Sequence, residues 1–216
     1  MEQITEWLWR FPAVDEPVLS ADVFVIKGKE RNYLFDAGNN AAITEEIKTL
    51  NPKYIFLSHF HQDHVGKLWN IPFEVACGSS YTMERVLKYK PQDASEEVKK
   101  AWGEIQAVKH LEVTDGVNLI FEEIPSTHSK GAGILIINHE IALLGDSIYM
   151  EKMQYNVSKL HDMIKALEAL DVKCFLCSHH GDVTSKEELL KELRGIYAMR
   201  EKNQPYIKPY KGEEGT

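Results

Sequence analysis

The sequence predicts an α+β fold in which two mixed sheets lie sandwiched between helices. Short apolar segments rich in β-branched and aromatic residues cluster in each half, and helices with one apolar face follow them. The run Tyr54-Ile55-Phe56-Leu57-Ser58 is continuously apolar, the pattern of a strand covered on both faces. At 216 residues, 44% hydrophobic and 27% charged, the chain can bury a core without covalent staples. It shows no internal repeat and no linker rich in Gly or Ser, so residues 1–216 are expected to form a single domain.

The elements follow in order. Ile4–Phe11, Val23–Lys27 and Asn32–Asp36 are expected strands, with Pro12 and Pro17 breaking the first connection and Gly28-Lys29 turning the second. Asn39 and Asn40 offer a cap for a helix running to about Leu50. After the strand at Tyr54–Ser58, helices are predicted over Ser79–Lys88 and Ser95–Val108. Strand character returns at Val117–Ile124, Gly133–Asn138 and Ile141–Leu144, with Asn138-His139-Glu140 as the turn between the last two. Val157, Leu160, Ile164, Leu167 and Leu170 form the stripe of an amphipathic helix. Cys174–Ser178 is a further strand, and Ser185 to about Glu201 a final helix with Glu188 placed for a capping box. The tail from Asn203 is polar, carries Pro205 and Pro209, and is expected to be partly loose.

Bulk properties exclude several function classes. A net charge of −8 argues against an extended nucleic-acid surface, which needs a basic excess. Three cysteines do not make a secreted disulfide scaffold. Glu2, Glu6, Arg10, Asp15 and Glu16 interrupt any signal-peptide apolar region, and no apolar run approaches the roughly 20 residues of a membrane helix. A cytoplasmic protein with a small-molecule substrate is the expectation, and no membrane partner.

The chemistry concentrates in His59-Phe60-His61-Gln62-Asp63-His64, directly after a predicted strand. Three histidines and an aspartate within six residues are costly to bury unpaired, and an apolar strand does not ordinarily lead to a solvated cluster. In an extended or tightly turned segment His59 and His61 point to one side, while Asp63 and His64 can face a second ion. His128, Asp146 and His180 occur at or near the ends of later strands, where clefts commonly form. Imidazole with carboxylate suits zinc, iron or manganese and does not suit calcium.

These segments resemble the metallo-β-lactamase superfamily. His59-Phe60-His61-Gln62-Asp63-His64 matches that family's H-x-H-x-D-H motif at every fixed position. Ser126-Thr127-His128-Ser129-Lys130-Gly131, Leu144-Gly145-Asp146 and Ser178-His179-His180-Gly181 are similar to its later motifs, in its order. Asp36-Ala37-Gly38 is similar to a family turn. The resemblance implies an αββα four-layer sandwich with the metals at one end of the paired sheets. It further implies that His59, His61 and His128 hold one ion, that Asp63, His64 and His180 hold the other, and that Asp146 bridges them. His179 and His180 compete for one role; the register before Gly181 selects His180 and leaves His179 as a supporting or surface residue.

The remaining candidates read as follows. His110, His139 and His161 lie outside every motif and should be solvated. Cys174 and Cys177 are three apart on a strand, so they face opposite sides and neither chelate together nor pair; Cys77 is expected in the core. Asp36 and Ser58 are positioned to orient ligand imidazoles. Tyr149 stands three residues after Asp146, where some lactonases of the superfamily place a tyrosine on the substrate carbonyl.

The resemblance implies a two-metal hydrolase whose metal-bridging hydroxide attacks its substrate, with two divalent ions, zinc first and iron or manganese as alternatives. Asp63, Asp146 and Tyr149 are the expected catalytic residues, Asp63 passing a proton toward the leaving group. The retained Asp146 disfavours a β-lactam substrate. The short segment after residue 185 does not supply the helical domain of the family's glutathione thioesterases, and the large insertions of its nucleases are missing. A small ester or lactone is therefore expected, with phosphodiester or thioester hydrolysis as alternatives. An iron-dependent oxidative reaction on the same scaffold is the competing class, although His61 stands where flavin-linked di-iron relatives usually carry glutamate.

Overall fold

The structure is a computed structural model that describes residues 1–179 and 181–210. Its first sheet runs β1 (Glu2–Gln3), β2 (Leu8–Phe11), β3 (Val23–Lys27), β4 (Asn32–Phe35), β5 (Tyr54–Phe56), β6 (Phe73–Gly78) and β7 (Trp102–Ala107) in spatial order. Pairing is antiparallel from β1 to β4 and parallel from β4 to β7. The second sheet begins with β8 (His110–Thr114), β9 (Asn118–Ile124), β10 (Ala132–Ile137) and β11 (Ile141–Gly145), all antiparallel. After a short strand β12 (Tyr155–Asn156), β13 (Cys174–Cys177) adds parallel to β11, and β14 (Thr184–Ser185) closes that edge. Both sheets are mixed, as expected.

Period-two alternation sorts the side chains into three apolar layers. Phe24, Ile26, Tyr33, Phe35 and Phe56 of the first sheet meet Leu119, Phe121, Leu135, Leu143 and Leu176 of the second to form the layer between the sheets. Their neighbours along the same strands, such as Val25, Leu34 and Ile55, turn outward against α1 (Ala41–Thr49) and α3 (Ser80–Val86), through Ile47, Met83 and Val86. On the other side Ile134, Ile136, Ala142 and Phe175 pack under α5 (Val157–Ala169) and α6 (Lys186–Ala198). Strands covered on both faces read as unbroken apolar runs. Helix, sheet, sheet and helix are stacked as four layers.

Local chemistry closes the elements. Asn40 accepts from Ala42 N at 2.9 Å to cap α1, and Ser185 with Glu188 forms the capping box of α6. Asn138 and His139 both hold left-handed φ near 54°, the two-residue turn that matches strand twist. Cys174 packs on the layer between the sheets and Cys177 on the outer one, and all three cysteines are free.

The helix expected over Ser95–Val108 is corrected. Only α4 (Glu96–Lys100), capped by Ser95, is helical; the chain then extends as β7 and pairs parallel with β6. The open edge of β6 supplies five registered partners, and that pairing overrides the helical propensity of a charged stretch. The first expected strand is likewise divided, because Ile4 and Thr5 donate back to Leu8 O and bend the chain between β1 and β2. Part of the tail is ordered: β15 (Tyr206–Ile207) pairs with β12. Among the described residues no helix is long and apolar enough to cross a membrane.

Candidate metal centre

β4 and β5 run parallel in the first sheet, as do β9, β11 and β13 in the second, and the residues that follow them come together at one rim of the double sheet. Each end delivers a polar segment: Asp36 after β4, Ser58 to His64 after β5, His128 beyond β9, Asp146 after β11, Ser178 and His179 after β13. Gly145 holds a φ of 54°, and a Cβ there would lie 2.6 Å from Ser58 Cβ. Only a glycine lets the two rims approach this closely.

The segment after β5 stays extended through His59 and then enters α2 (Gln62–Val65), a single turn with His61 at its N-cap. His59 Nε2 and His128 Nε2 each stand 3.0 Å from His61 Nδ1. Three nitrogens bound to one ion at about 2.0–2.1 Å are separated by roughly 3 Å or slightly more, which is the spacing here. The His128 loop is set by Ser126 Oγ, which accepts from His128 N at 3.0 Å and Ser129 N at 3.1 Å.

A second group forms beside the first. His64 Nε2 lies 3.3 Å from Asp146 Oδ2 and 3.5 Å from Asp63 Oδ2, and His179 Nε2 lies 3.2 Å from Asp63 Oδ2 and 3.8 Å from Asp146 Oδ1. One ligand atom from each of Asp63, His64, Asp146 and His179 falls within 4.8 Å of all the others, as do those of His59, His61 and His128. Asp146 Oδ2 is also 3.9 Å from His128 Nε2, so this carboxylate faces both groups.

Behind the rim, one carboxylate orients an imidazole in each group. Asp36, fully buried with φ 64°, accepts from Ser58 N at 2.8 Å, Ser58 Oγ at 2.7 Å and His64 Nδ1 at 2.7 Å. Because the Ser58 hydroxyl donates to Asp36, its oxygen accepts from His59 Nδ1 at 3.0 Å. Both histidines are thereby set in the tautomer that turns a bare Nε2 toward the centre. Among the described residues His64 Nε2 and Asp146 Oδ1 are buried with no hydrogen-bond partner. Orphaned polar atoms of this kind, set among imidazoles and carboxylates, fit a cation.

The electrostatics agree. Burial drives the basicity of His59, His61 and His128 below the ordinary imidazole range, leaving neutral donors. Burial opposes charge on His64 too, but Asp36 and Asp146 outweigh it and raise its pKa to about 10. Burial would raise Asp63 and Asp146, yet His179 and His64 hold both below the usual carboxylate range.

His179 is a residue the glycine register set aside. Its φ is 67°, and its N–H donates to Asp22 Oδ2 at 2.8 Å while Asp22 Oδ1 accepts from Ala13 N at 2.9 Å. Arg10 Nη1 donates to Gly181 O at 2.6 Å and holds the other side of this loop. Neither Asp22 nor Arg10 belongs to a motif, and long-range placement alone makes them supports. His180 lies outside the described residues. Tyr149 is half exposed, its ring 5.3 Å from that of His128, at the mouth of a cavity of about 590 Å³ shared with Asp146, Ile148, Met150, Leu189 and Leu193. His110 and His139 are exposed and His161 is half-buried against the Tyr197 ring, and none of the three belongs to either group.

A double sheet whose strand ends gather a three-histidine group beside a histidine–carboxylate group defines a metal-binding class of fold. The sequence profile of the metallo-beta-lactamase superfamily matches residues 17–196, and the chain belongs to that superfamily. Solved structures repeat the fold at low identity. An archaeal metallo-beta-lactamase superfamily protein from Sulfolobus tokodaii is 15% identical with a TM-score of 0.59, over 93% of this chain and 90% of that one. A metallo-beta-lactamase from Pontibacter korlensis is 13% identical with a TM-score of 0.64, over 92% and 98%. The rubredoxin oxygen:oxidoreductase of Desulfovibrio gigas is 14% identical with a TM-score of 0.69, over 93% of this chain and 62% of that longer one. No curated protein sequence matches.

Proposed function

We propose that the protein is a two-metal hydrolase that cleaves a small ester or lactone. In this reading His59, His61 and His128 would hold one divalent ion and Asp63, His64, Asp146 and His179 would hold the other, with Asp146 also facing the first group; zinc suits these donors, as do iron and manganese. The observation that carries the reading is the position of Asp146 Oδ2, 3.3 Å from His64 Nε2 in one group and 3.9 Å from His128 Nε2 in the other. When bound, two such ions supply a water acidified into the neutral range and a Lewis-acidic pull on the carbonyl under attack.

The chain's own residues supply the rest. Asp63, partly open to solvent and 3.2 Å from His179 Nε2, takes up a proton and passes it toward the leaving oxygen. Tyr149 donates a hydrogen bond to the oxygen on which charge develops. The adjoining cavity of about 590 Å³ is sized for a small molecule and lined mainly by apolar side chains. The test is turnover of matched esters, lactones and phosphodiesters by the metal-loaded protein, with oxygen consumption followed in parallel. Ester or lactone hydrolysis should dominate, and Tyr149→Phe should slow it by up to about 10²–10³-fold at unchanged metal content. A phosphodiester turned over faster than every ester and lactone would refute the substrate class, and oxygen consumption without hydrolysis would favour the oxidative reading.

A further inference from the structure

Next to the three-histidine group stand two cations that the hydrolytic reading does not use. Arg85, in the last turn of α3, stacks over the Tyr81 ring with its guanidinium carbon 3.4 Å from the centroid, and it lies 5.0 Å from that of Phe60. Lys130 Nζ stands 5.1 Å from the same Tyr81 centroid. Phe60 contacts Tyr81 at 5.8 Å and His61 at 4.8 Å between centroids, so the aromatic pair links the cations to the three-histidine group.

Their proximity is built in. Gly131 O accepts from Ser79 Oγ at 2.6 Å and Thr82 Oγ1 at 3.0 Å, which pins the loop bearing His128 and Lys130 to the start of α3. Gly131 has a φ of 70°, and a Cβ there would lie 2.7 Å from Tyr81 Cβ. No side chain with a Cβ could bring the loop this close.

Among the described residues neither Arg85 nor Lys130 is paired with a carboxylate, whereas Arg10, Arg31 and Arg194 all are. In a chain of net charge −8, two like charges held over one ring beside the reaction centre are unbalanced. Stacking uses the face of a guanidinium and leaves its N–H edge open to bind an anion.

We propose that Arg85 and Lys130, braced on Tyr81 and Phe60, form a subsite for an anionic group of the substrate, a carboxylate or a phosphate. The proposal rests on the hydrolase reading for its substrate but on separate residues for its geometry. An anion there would be drawn from solvent by both cations and would leave the scissile bond over the histidine groups, with the apolar part toward Ile148 and Met150.

The experiment compares aryl esters of equal acyl length ending in a methyl, a carboxylate or a phosphonate, using the metal-loaded protein and R85Q, K130Q and the double variant. The carboxylate-to-methyl or phosphonate-to-methyl ratio of kcat/KM should fall about ten- to a hundredfold in the double variant, chiefly through KM. The ratio that falls further identifies the anion. Equal losses on all three esters would overturn the subsite and make the pair structural. Glutarate and 3-phosphonopropionate are also titrated by calorimetry against acetate. A protein that hydrolyses no ester but binds either diacid about tenfold more tightly than the double variant does would support the subsite and contradict the hydrolase reading. Equal diacid affinities in wild type and double variant would overturn the subsite.

Discussion

Asp36 carries more of the site than its place outside every ligand group suggests. It accepts three hydrogen bonds, sets the tautomer of His64 directly, and sets that of His59 through Ser58. Asn tolerates the left-handed φ of 64° that this position requires, and it keeps the side chain's shape. An amide can still accept from Ser58, but its NH₂ cannot accept from His64 Nδ1. Asp36→Asn should therefore stay folded and lose about 10–100-fold in metal affinity, measured by competition with a chelator. Wild-type affinity would remove Asp36 from the account. Sequence made this residue visible as part of a turn and as a group able to orient a ligand imidazole. Its particular partners at positions 58 and 64 follow from the parallel pairing of β4 with β5. The motif residues were legible because their types and spacing are local. Asp22 and Arg10 were not, since only contacts across more than 150 positions bring them to the loop of His179 and Gly181.

At the level of elements, α3 and the His128 loop act as one joint. Ser79 caps α3 by accepting from Thr82 N at 3.2 Å and donates to Gly131 O at 2.6 Å. Ser79→Ala removes both and leaves a buried carbonyl with Thr82 alone. The variant should lose about 1–3 kcal/mol in denaturant unfolding and should weaken metal held by His128. A stability within about 0.5 kcal/mol of wild type would show that the joint is not under this control. Strong periodic elements such as β3, β5, α5 and α6 were readable from apolar pattern and caps. β7 was not, because the charged helical stretch of α4 runs straight into it and the strand is set by the partners that the edge of β6 offers. β6 itself, with Glu74 and small residues, lacks the pattern that marks a strand.

In the whole molecule, two sheets share one apolar layer, and the centre sits where their strand ends converge. The histidines of the first group come from both sheets, and Asp146 of the second sheet faces Asp63 and His64 of the first. The fold class was legible because both halves carry doubly covered strands followed by amphipathic helices. The approach of the rims at Gly145 and Ser58 was not, since it depends on a glycine in a conformation no local pattern reports. The most direct test is metal stoichiometry by elemental analysis, after zinc reconstitution and removal of loosely bound ions, for wild type and Asp146→Ala. A centre of two ions joined through Asp146 should give two equivalents per wild-type chain and one or fewer in a folded Asp146→Ala. A wild-type chain that takes up no transition metal, or a variant that keeps two equivalents, would contradict it.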